Sequence, residues 1–545
     1  MRQTKNGWLV LVIVAAAAIF FFPFLGAVHL FDWDEINFAE SAREMLVTGN
    51  YSRVQIDYQP FWEKPPLFFW LQAASMSVFG VNEFAARFPN AVIGIITLST
   101  FFLIGRKLYD EKFGMMWTLS MLGSFLPHLY FKSGIIDPVF NYFIFLGIYF
   151  CALWIEKKEE GGKFALLAGL LIGLATLTKG PVALLVTLLV GGVYWFSIRF
   201  KKIISIQHLL LFALMYALTA GGWFFIDIMD NGIGFVGEFI NYQIDLFLHP
   251  VAGHGEPFYY HFVVVLIGCF PMSIIALPTL IKKESNAQPL DLRKWMMILF
   301  WVVMILFSIV KTKIVHYSSL SYFPLSFLAA YFIHQHFVWK KSFPRWQVWL
   351  LFAFGIIFSL LLFLAPWIAQ HKEILIPYLK DPFAVDCLKT EVHWNGYESF
   401  IGITYAFAVM IAIILLLKKK LQSGIIMIYL STAVCLLIYL KAAVPKIEQY
   451  SQGPAIEFYE SLQGKNVYVS PYGFKSYAQF FYFRKPPSTN LGKRDEDWLL
   501  HGSIDKPAYF VIKTTSRNDF EKNPGVHFLY QKGGFAFYER DAFEH

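Results

Sequence analysis

Asp34 follows directly on an apolar run that begins at Trp8, and Asp137, in "SGIIDPVF", opens another apolar run. A carboxylate at the edge of a bilayer is costly unless it is paired or wetted, so such residues usually face a cavity and have a task. Each also has a plainer reading. Asp before Pro is a good helix start, which would make Asp137 a cap, and Asp34 has the alternative of a solvated surface group.

Basic and hydroxyl groups stand at the same level along the chain. "QPFWEKPPLFFW" holds Glu63 and Lys64 between aromatics and a double proline. The prolines fix φ and bias the residue before them toward extended geometry, so the Lys64 ammonium is held at low entropic cost, as a phosphate site would require. Lys179, in "LTKGPVALL", and the cluster Lys311, Lys313, His316 and Tyr317, in "VKTKIVHYSSLSYFP", are further candidates for an anion site, Tyr317 through its hydroxyl. Singly, each is equally suited to anchoring at the interface, where Lys and Tyr are common. "HPVAGHGEPFYYH" brings His249, His254, Glu256 and His261 within a short stretch. The spacing matches no standard zinc pattern, so His249, His254 and Glu256 are only weak metal candidates.

These groups have to be positioned by membrane helices. Of the 545 residues 57% are hydrophobic, 19% aromatic and 15% charged, far from the balance of a water-soluble domain. Stretches of about 20 apolar residues, enough to cross a hydrocarbon core of about 30 Å, recur about thirteen times. The first lacks a small-residue cleavage site and reads as a retained helix. Lys and Arg concentrate in alternate loops (Arg106/Lys107/Lys112, Lys157/Lys158/Lys163, Arg199/Lys201/Lys202, Lys418/Lys419/Lys420, with Arg2/Lys5, Lys282/Lys283 and Lys340/Lys341). That side is expected to be cytoplasmic. The net charge of +8 then reports topology, and nucleic-acid binding is not needed to explain it. The four cysteines, Cys151, Cys269, Cys387 and Cys435, show no paired ligand spacing and read as packing residues.

The sequence therefore predicts an α-helical polytopic membrane domain over residues 1–441 with outer loops at 31–83, 230–259 and 370–399. Within the first loop, two amphipathic stretches, "INFAESAREMLVTG" and "PPLFFWLQAASMSVFG", are expected to lie along the interface. Beyond Lys441 hydropathy collapses, and "KNVYVS", "PAYFVIK", "VHFLYQ" and "FAFYER" read as strands. Residues 442–545 are thus expected to form a small extracytoplasmic α/β domain.

Taken together, "WDEINFAESAREM", "FWEKPPLFFW", "IIDP", "TKGPVAL" and "KTKIVHYSSLSYFPL", in this order and topology, resemble the GT-C class of bacterial membrane glycosyltransferases related to the lipid A aminoarabinose transferase and the protein O-mannosyltransferases. The resemblance implies about thirteen helices and transfer of a sugar from a polyprenyl-phosphate carrier to a lipid, glycan or protein acceptor at the outer face of the bacterial plasma membrane. It implies that Asp34 and Asp137 are the important carboxylates, that Glu63 and Lys64 line the donor site, and that Tyr317 lies near the donor phosphate. Lys179, Lys313 and His316 would supplement that phosphate grip. One departure stands out: relatives commonly carry an arginine where "YQIDLF" has Asp245. A polyprenyl phosphate leaves without a proton, so no cofactor is required, and metal dependence stays open. The alternatives are a secondary transporter using Asp34, Asp137 and Lys179 as coupling residues, and a catalytically degenerate member of the fold.

Overall fold

The apolar runs form helices of unequal length. The structure, a computed structural model, describes residues 7–543 apart from 203, 250–254, 282–289, 341 and 488–495, and the side chains of 231, 235, 246 and 247 are likewise not described. The sequence-based calls on Arg2, Lys5, His254, Lys282, Lys283 and Lys341 lie outside the described residues. Among those described, eight helices are long and apolar enough to cross a membrane: Glu83–Leu108, Asp137–Glu156, Lys158–Lys179, Ile206–Asp230, Leu292–Ile309, Arg345–Gln370, Phe400–Leu417 and Leu421–Ala442. Other runs give shorter helices. The first spans Gly7–Phe21, the run after Lys179 spans Val182–Ser197, and another spans Tyr322–Val338.

Two runs read from the sequence as single spans are broken. Phe113–Phe131 divides into Glu111–Leu122 and Phe125–Tyr130, and Tyr260–Ile281 divides into Tyr260–Gly268 and Met272–Ile281. The breaks fall at Gly123 and before Pro271, and neither residue supports a continuous helical hydrogen-bond ladder well. Gly123 also lets two chains meet: a Cβ there would come within 2.5 Å of the Tyr429 carbonyl oxygen. Small residues at such crossings replace the hydrophobic drive that lipid does not supply.

The first loop departs from expectation. It forms the helices Asp34–Thr48 and Leu67–Phe79, and every residue from Glu35 to Met45 is buried. A helix buried all round cannot lie on a lipid surface with one face in water. One side packs on the helix Leu67–Phe79, with Phe38 and Met45 in a core with Phe68, Phe69, Ile136 and Val139, and the C-terminal segment covers another. Leu30, Ile36, Ala39, Ala42 and Met76 share one hydrophobic core with Ile456, Tyr459, Phe481, Val511 and Phe537.

That C-terminal segment carries a four-stranded sheet. Its strands are Tyr468–Tyr472, Ala508–Lys513, Val526–Lys532 and Phe535–Arg540. In space the first pairs in parallel with the second, the second antiparallel with the fourth, and the fourth antiparallel with the third. The last two form a hairpin through Gly533, whose φ of +58° suits glycine. The four cysteines are free thiols, and Cys269, Cys387 and Cys435 are buried. Cys387, within the outer loop 370–399, sits in the short helix Pro382–Leu388 beneath the C-terminal hairpin, where a Cβ on Gly534 would meet its sulfur at 2.5 Å.

Candidate functional site

Asp34 is the first residue of its helix, and Asp137 opens Asp137–Glu156 with Pro138 immediately after it. Both positions suit an acidic residue, because the unpaired N–H groups and the helix dipole favour negative charge there. His316 and Tyr317 ride on the short 3-10 helix Val315–Ser321. Lys179 is the last residue of Gly161–Lys179. The helix ends there because Gly180, at φ +104°, turns the chain and Pro181 stands at the cap of the next helix, Val182–Ser197. Gly180 is also pressed against Phe239, whose ring lies 2.9 Å from where a Cβ would sit.

These elements bring four charged or titratable groups into one chain of contacts. Lys179 Nζ lies 2.5 Å from Asp137 Oδ1. The other carboxylate oxygen, Asp137 Oδ2, is 3.9 Å from His316 Nε2, and the same ring nitrogen is 3.2 Å from Asp34 Oδ2. Asp137 is buried, and its Oδ2 is a buried atom without a hydrogen bond among the described residues. Such an orphan in a polar cluster marks a place where a further donor is accommodated. Asp34 differs: its side chain keeps 34% of its exposure against 4% for Asp137.

Beside this chain lies a cavity of about 230 Å³, with Lys64, Asp137, Asn141, Lys179, Gln243 and Tyr317 in its wall along with apolar side chains such as Val182, Leu185 and Phe307. Lys64 Nζ is 3.7 Å from Glu63 Oε2 and 5.4 Å from the centre of the Tyr242 ring. Lys179 stands 5.0 Å from the centre of the Tyr317 ring. Burial pushes the Tyr317 hydroxyl up, and Asp34, Asp137 and Glu63 push it further. Burial likewise raises Tyr242, with the charge and hydrogen bond of Glu63 adding to it. Both phenols are therefore neutral donors at physiological pH.

Asp137, Lys64, Lys179 and Tyr317 thus line one hollow, His316 and Asp34 adjoin it through their contacts with Asp137 and with each other, and Glu63 pairs with Lys64. Lys313 points elsewhere: its ammonium donates to the Val310 carbonyl at 2.8 Å. Among the weak metal candidates, His249 faces Asp245 at 3.6 Å with both side chains largely exposed. Glu256 is exposed, and neither it nor His249 belongs to a group of three close ligand atoms among the described residues.

Sequence reasoning missed the pair that holds the two aspartates in place. Arg87 donates to Glu35 Oε1 at 3.0 Å and Oε2 at 2.7 Å, and to the carbonyls of Leu25, Val28 and His29. Glu35 also accepts from the N–H of Phe31 at 2.9 Å and from the N–H of Gly134. Glu35 adjoins Asp34 and Gly134 precedes Asp137 by three residues, so one ion pair ties both carboxylates to the span Glu83–Leu108. The available signal was a single arginine close to the start of an otherwise apolar run.

The other acidic residues of the first loop also have partners. Arg43 donates to both oxygens of Glu40, at 2.7 and 2.6 Å, and to the Lys485 carbonyl at 2.9 Å. Asp32 accepts from the Ser476 hydroxyl at 2.6 Å. Of the four carboxylates in "FDWDEINFAE", only Asp34 faces His316.

A family model described as dolichyl-phosphate-mannose-protein mannosyltransferase matches residues 63–223. The chain is 25% identical over 326 residues to an undecaprenyl phosphate-alpha-4-amino-4-deoxy-L-arabinose arabinosyl transferase of Wigglesworthia glossinidia brevipalpis, covering 59% of this chain and 58% of that protein. It is 28% identical over 364 residues to the protein of the same description from Enterobacter sp. (strain 638), covering 62% of each. In these matches the chain spans about three fifths of the length of its relatives. The crystal structure of ArnT from Cupriavidus metallidurans bound to undecaprenyl phosphate superposes with a TM-score of 0.79 at 16% identity, covering 98% of both chains. The chain is a multi-pass membrane protein of that fold, and it resembles the GT-C glycosyltransferases of the aminoarabinose transferase and protein mannosyltransferase type.

Proposed function

We propose that this chain is a glycosyltransferase that moves a sugar from a polyprenyl-phosphate carrier onto a lipid acceptor at the outer face of the bacterial plasma membrane. The observation that supports the reading is the presence of Lys64, Lys179, Tyr317 and Asp137 in the lining of one cavity, with His316 and Asp34 joined to it through Asp137. A leaving phosphate needs positive charge and a hydroxyl donor in a poorly hydrated place, and the apolar side chains of the same cavity suit the first units of a prenyl chain. In this scheme the chain crosses the membrane about thirteen times, with the N-terminus cytoplasmic and residues 442–545 extracytoplasmic.

The reaction is a direct displacement with inversion. An acceptor oxygen forms the new bond to the anomeric carbon while the bond from that carbon to the carrier phosphate oxygen breaks, and the electron pair leaves with the phosphate. If the acceptor is a hydroxyl, its proton passes to Asp34. If the acceptor is itself a phosphate, Asp34 and His316 position it and no proton moves. Lys64 faces the cavity with Glu63 as a loose ion-pair partner at 3.7 Å and the Tyr242 ring beside it, whereas Lys179 is already committed to Asp137. Lys64 is therefore assigned to the donor phosphate, and Lys179 to holding Asp137 and closing the wall behind it. Asp245, exposed beside His249, takes no part in that grip.

Purified protein supplied with polyprenyl-phosphate-linked sugar and membrane lipid is expected to release polyprenyl phosphate. Asp34→Asn is expected to stop release without altering expression or melting, and Lys64→Ala to weaken donor binding more than Lys179→Ala does. Full turnover by Asp34→Asn would remove the assigned role of that carboxylate. Equal effects of the two lysines on donor binding would remove the placement of the phosphate. Solute counterflow in proteoliposomes without sugar transfer would point to a transporter instead.

A further inference from the structure

A second cluster of ligand-type side chains lies outside this cavity, where three parts of the chain meet. His29 follows the first helix, Glu83 begins the span Glu83–Leu108, and Glu460 lies on the helix Gly453–Ser461 of the C-terminal segment. One ring nitrogen of His29 and one carboxylate oxygen from each glutamate lie within 4.8 Å of one another. A fourth residue orients the ring: His29 Nδ1 is 3.1 Å from Oε1 of Glu448, which is itself buried. The Tyr482 ring stands edge-on to the imidazole with centroids 5.4 Å apart.

An imidazole with one nitrogen held by a buried carboxylate and further carboxylates close by is a recurrent arrangement by which proteins fix a histidine to receive a metal. Of the cations nearby, Arg484 acts on Glu460, while Arg87 is already engaged by Glu35.

We propose that His29 Nε2, Glu83 and Glu460 bind a divalent cation of the zinc class, with Glu448 as the group that orients His29. One imidazole and two carboxylates leave a position for water in a tetrahedral shell. Ligand bonds of about 2.0–2.2 Å place ligand atoms roughly 3.3–3.5 Å apart. The exposed Glu460 side chain closes the remaining distance by a rotamer change, whereas His29 stays where Glu448 holds it. Such an ion joins the C-terminal segment to the spans on which the first loop is mounted. It is a structural clasp, separate from the transfer cavity, and does not depend on what that cavity does.

The test uses the full-length protein in detergent, stripped with chelator and titrated with Zn²⁺, with bound metal counted, affinity measured by competition with a chelating dye, and melting followed in parallel. One equivalent and a rise in melting temperature are expected. Glu460→Gln, at an exposed position where folding is not at stake, is expected to weaken binding at least tenfold and to remove the thermal shift. Glu448→Gln is expected to weaken it about ten- to a hundredfold, the usual effect of losing an orienting partner. Co²⁺ in place of zinc should give a visible spectrum that changes in His29→Gln. The proposal is overturned if the stripped protein takes up no zinc. It is equally overturned if an equivalent binds with unchanged affinity to both Glu460→Gln and His29→Gln, since that ion would then lie elsewhere and His29 would be no more than an ion-pair partner.

Discussion

Arg87→Met removes the guanidinium that ties both carboxylates of the site to a membrane span. In the folded protein Glu35 is held ionised: burial pushes its carboxyl up, but the charge and hydrogen bonds of Arg87 and the N–H groups of Phe31 and Gly134 bring it below its ordinary value. The substitution leaves that carboxylate in place with no counter-charge, and also leaves the carbonyls of Leu25, Val28 and His29 without their donor. Breaking one side of a buried ion pair costs about 3–5 kcal/mol, because the surviving charge pays the full desolvation penalty. The five bonds cannot be summed, since they act as one network. A second substitution isolates the cause. Glu35→Gln on the Arg87→Met background removes the stranded charge while keeping an acceptor for Phe31 and Gly134, and is expected to recover part of the loss. Melting in detergent, followed by intrinsic tryptophan fluorescence, reads both steps. The folded fraction of Arg87→Met should also lose sugar transfer, because a displacement of about 1 Å between reacting groups can cost about a hundredfold in rate. If Arg87→Met melts within about 0.5 kcal/mol of the parent, as an ordinary surface change would, or if the double variant is no more stable than the single one, the clamp does not exist.

Two further substitutions probe the support of the site. Glu44 is pushed up to about 9 from an ordinary 4.5, by burial first and then by the charge of Glu40. The folded state therefore keeps a proton that the unfolded chain gives up. This contribution is whole below about 4.5 and is lost as pH rises toward 9, so stability falls across that window. Glu44→Gln, which resembles the protonated form, is expected to flatten the melting-versus-pH curve between pH 5 and pH 9 (about four units of the window), and an unchanged slope would reject the assignment. Lys132 donates to the carbonyls of Phe20 and Pro23 at 3.1 and 2.6 Å and to that of Phe21 at 3.0 Å, which caps the end of the first helix. Lys132→Met should cost about 1–3 kcal/mol in melting experiments through those unpaired carbonyls, and no change would mean water replaces the ammonium freely.

What the sequence revealed and what it hid divide along physical lines. Apolar length and the glycine and proline breaks determine where helices can run, and Asp137, Lys179, His316 and Tyr317 were legible because polar groups at the end of an apolar run have few reasons to be there. The strands of the C-terminal segment were legible from their aromatic and β-branched residues, and the sheet is packed on both faces, Val511, Phe535 and Phe537 in one core and Phe510, Ile512, Ala536 and Tyr538 in another. Helix breaks inside Phe113–Phe131 and Tyr260–Ile281 were not, because hydropathy is continuous across them and only the packing of Gly123 against Tyr429 shows what the break serves. Nor was the burial of Asp34–Thr48: amphipathic spacing looks the same whether the polar face meets water or, as with Arg43 and Lys485, another part of the chain. The role of Glu35 needed Arg87, a partner 52 residues away.

The two aspartates are best separated by environment rather than treated as a matched pair. Asp137 is buried, with Lys179 at 2.5 Å from one oxygen and the His316 ring 3.9 Å from the other, and such a group is fixed in position. Asp34 keeps about a third of its exposure and meets the tip of the His316 ring, so an incoming acceptor can reach it. Groups of one chemical type placed in unlike surroundings take unlike roles. Asp137 is accordingly the fixed end that holds Lys179 and His316 in register with the cavity, and Asp34 is the end that meets the acceptor. Substituting Asp137 should then disturb the placement of Lys179 and with it donor binding. Substituting Asp34 should leave donor binding intact and stop only the transfer step.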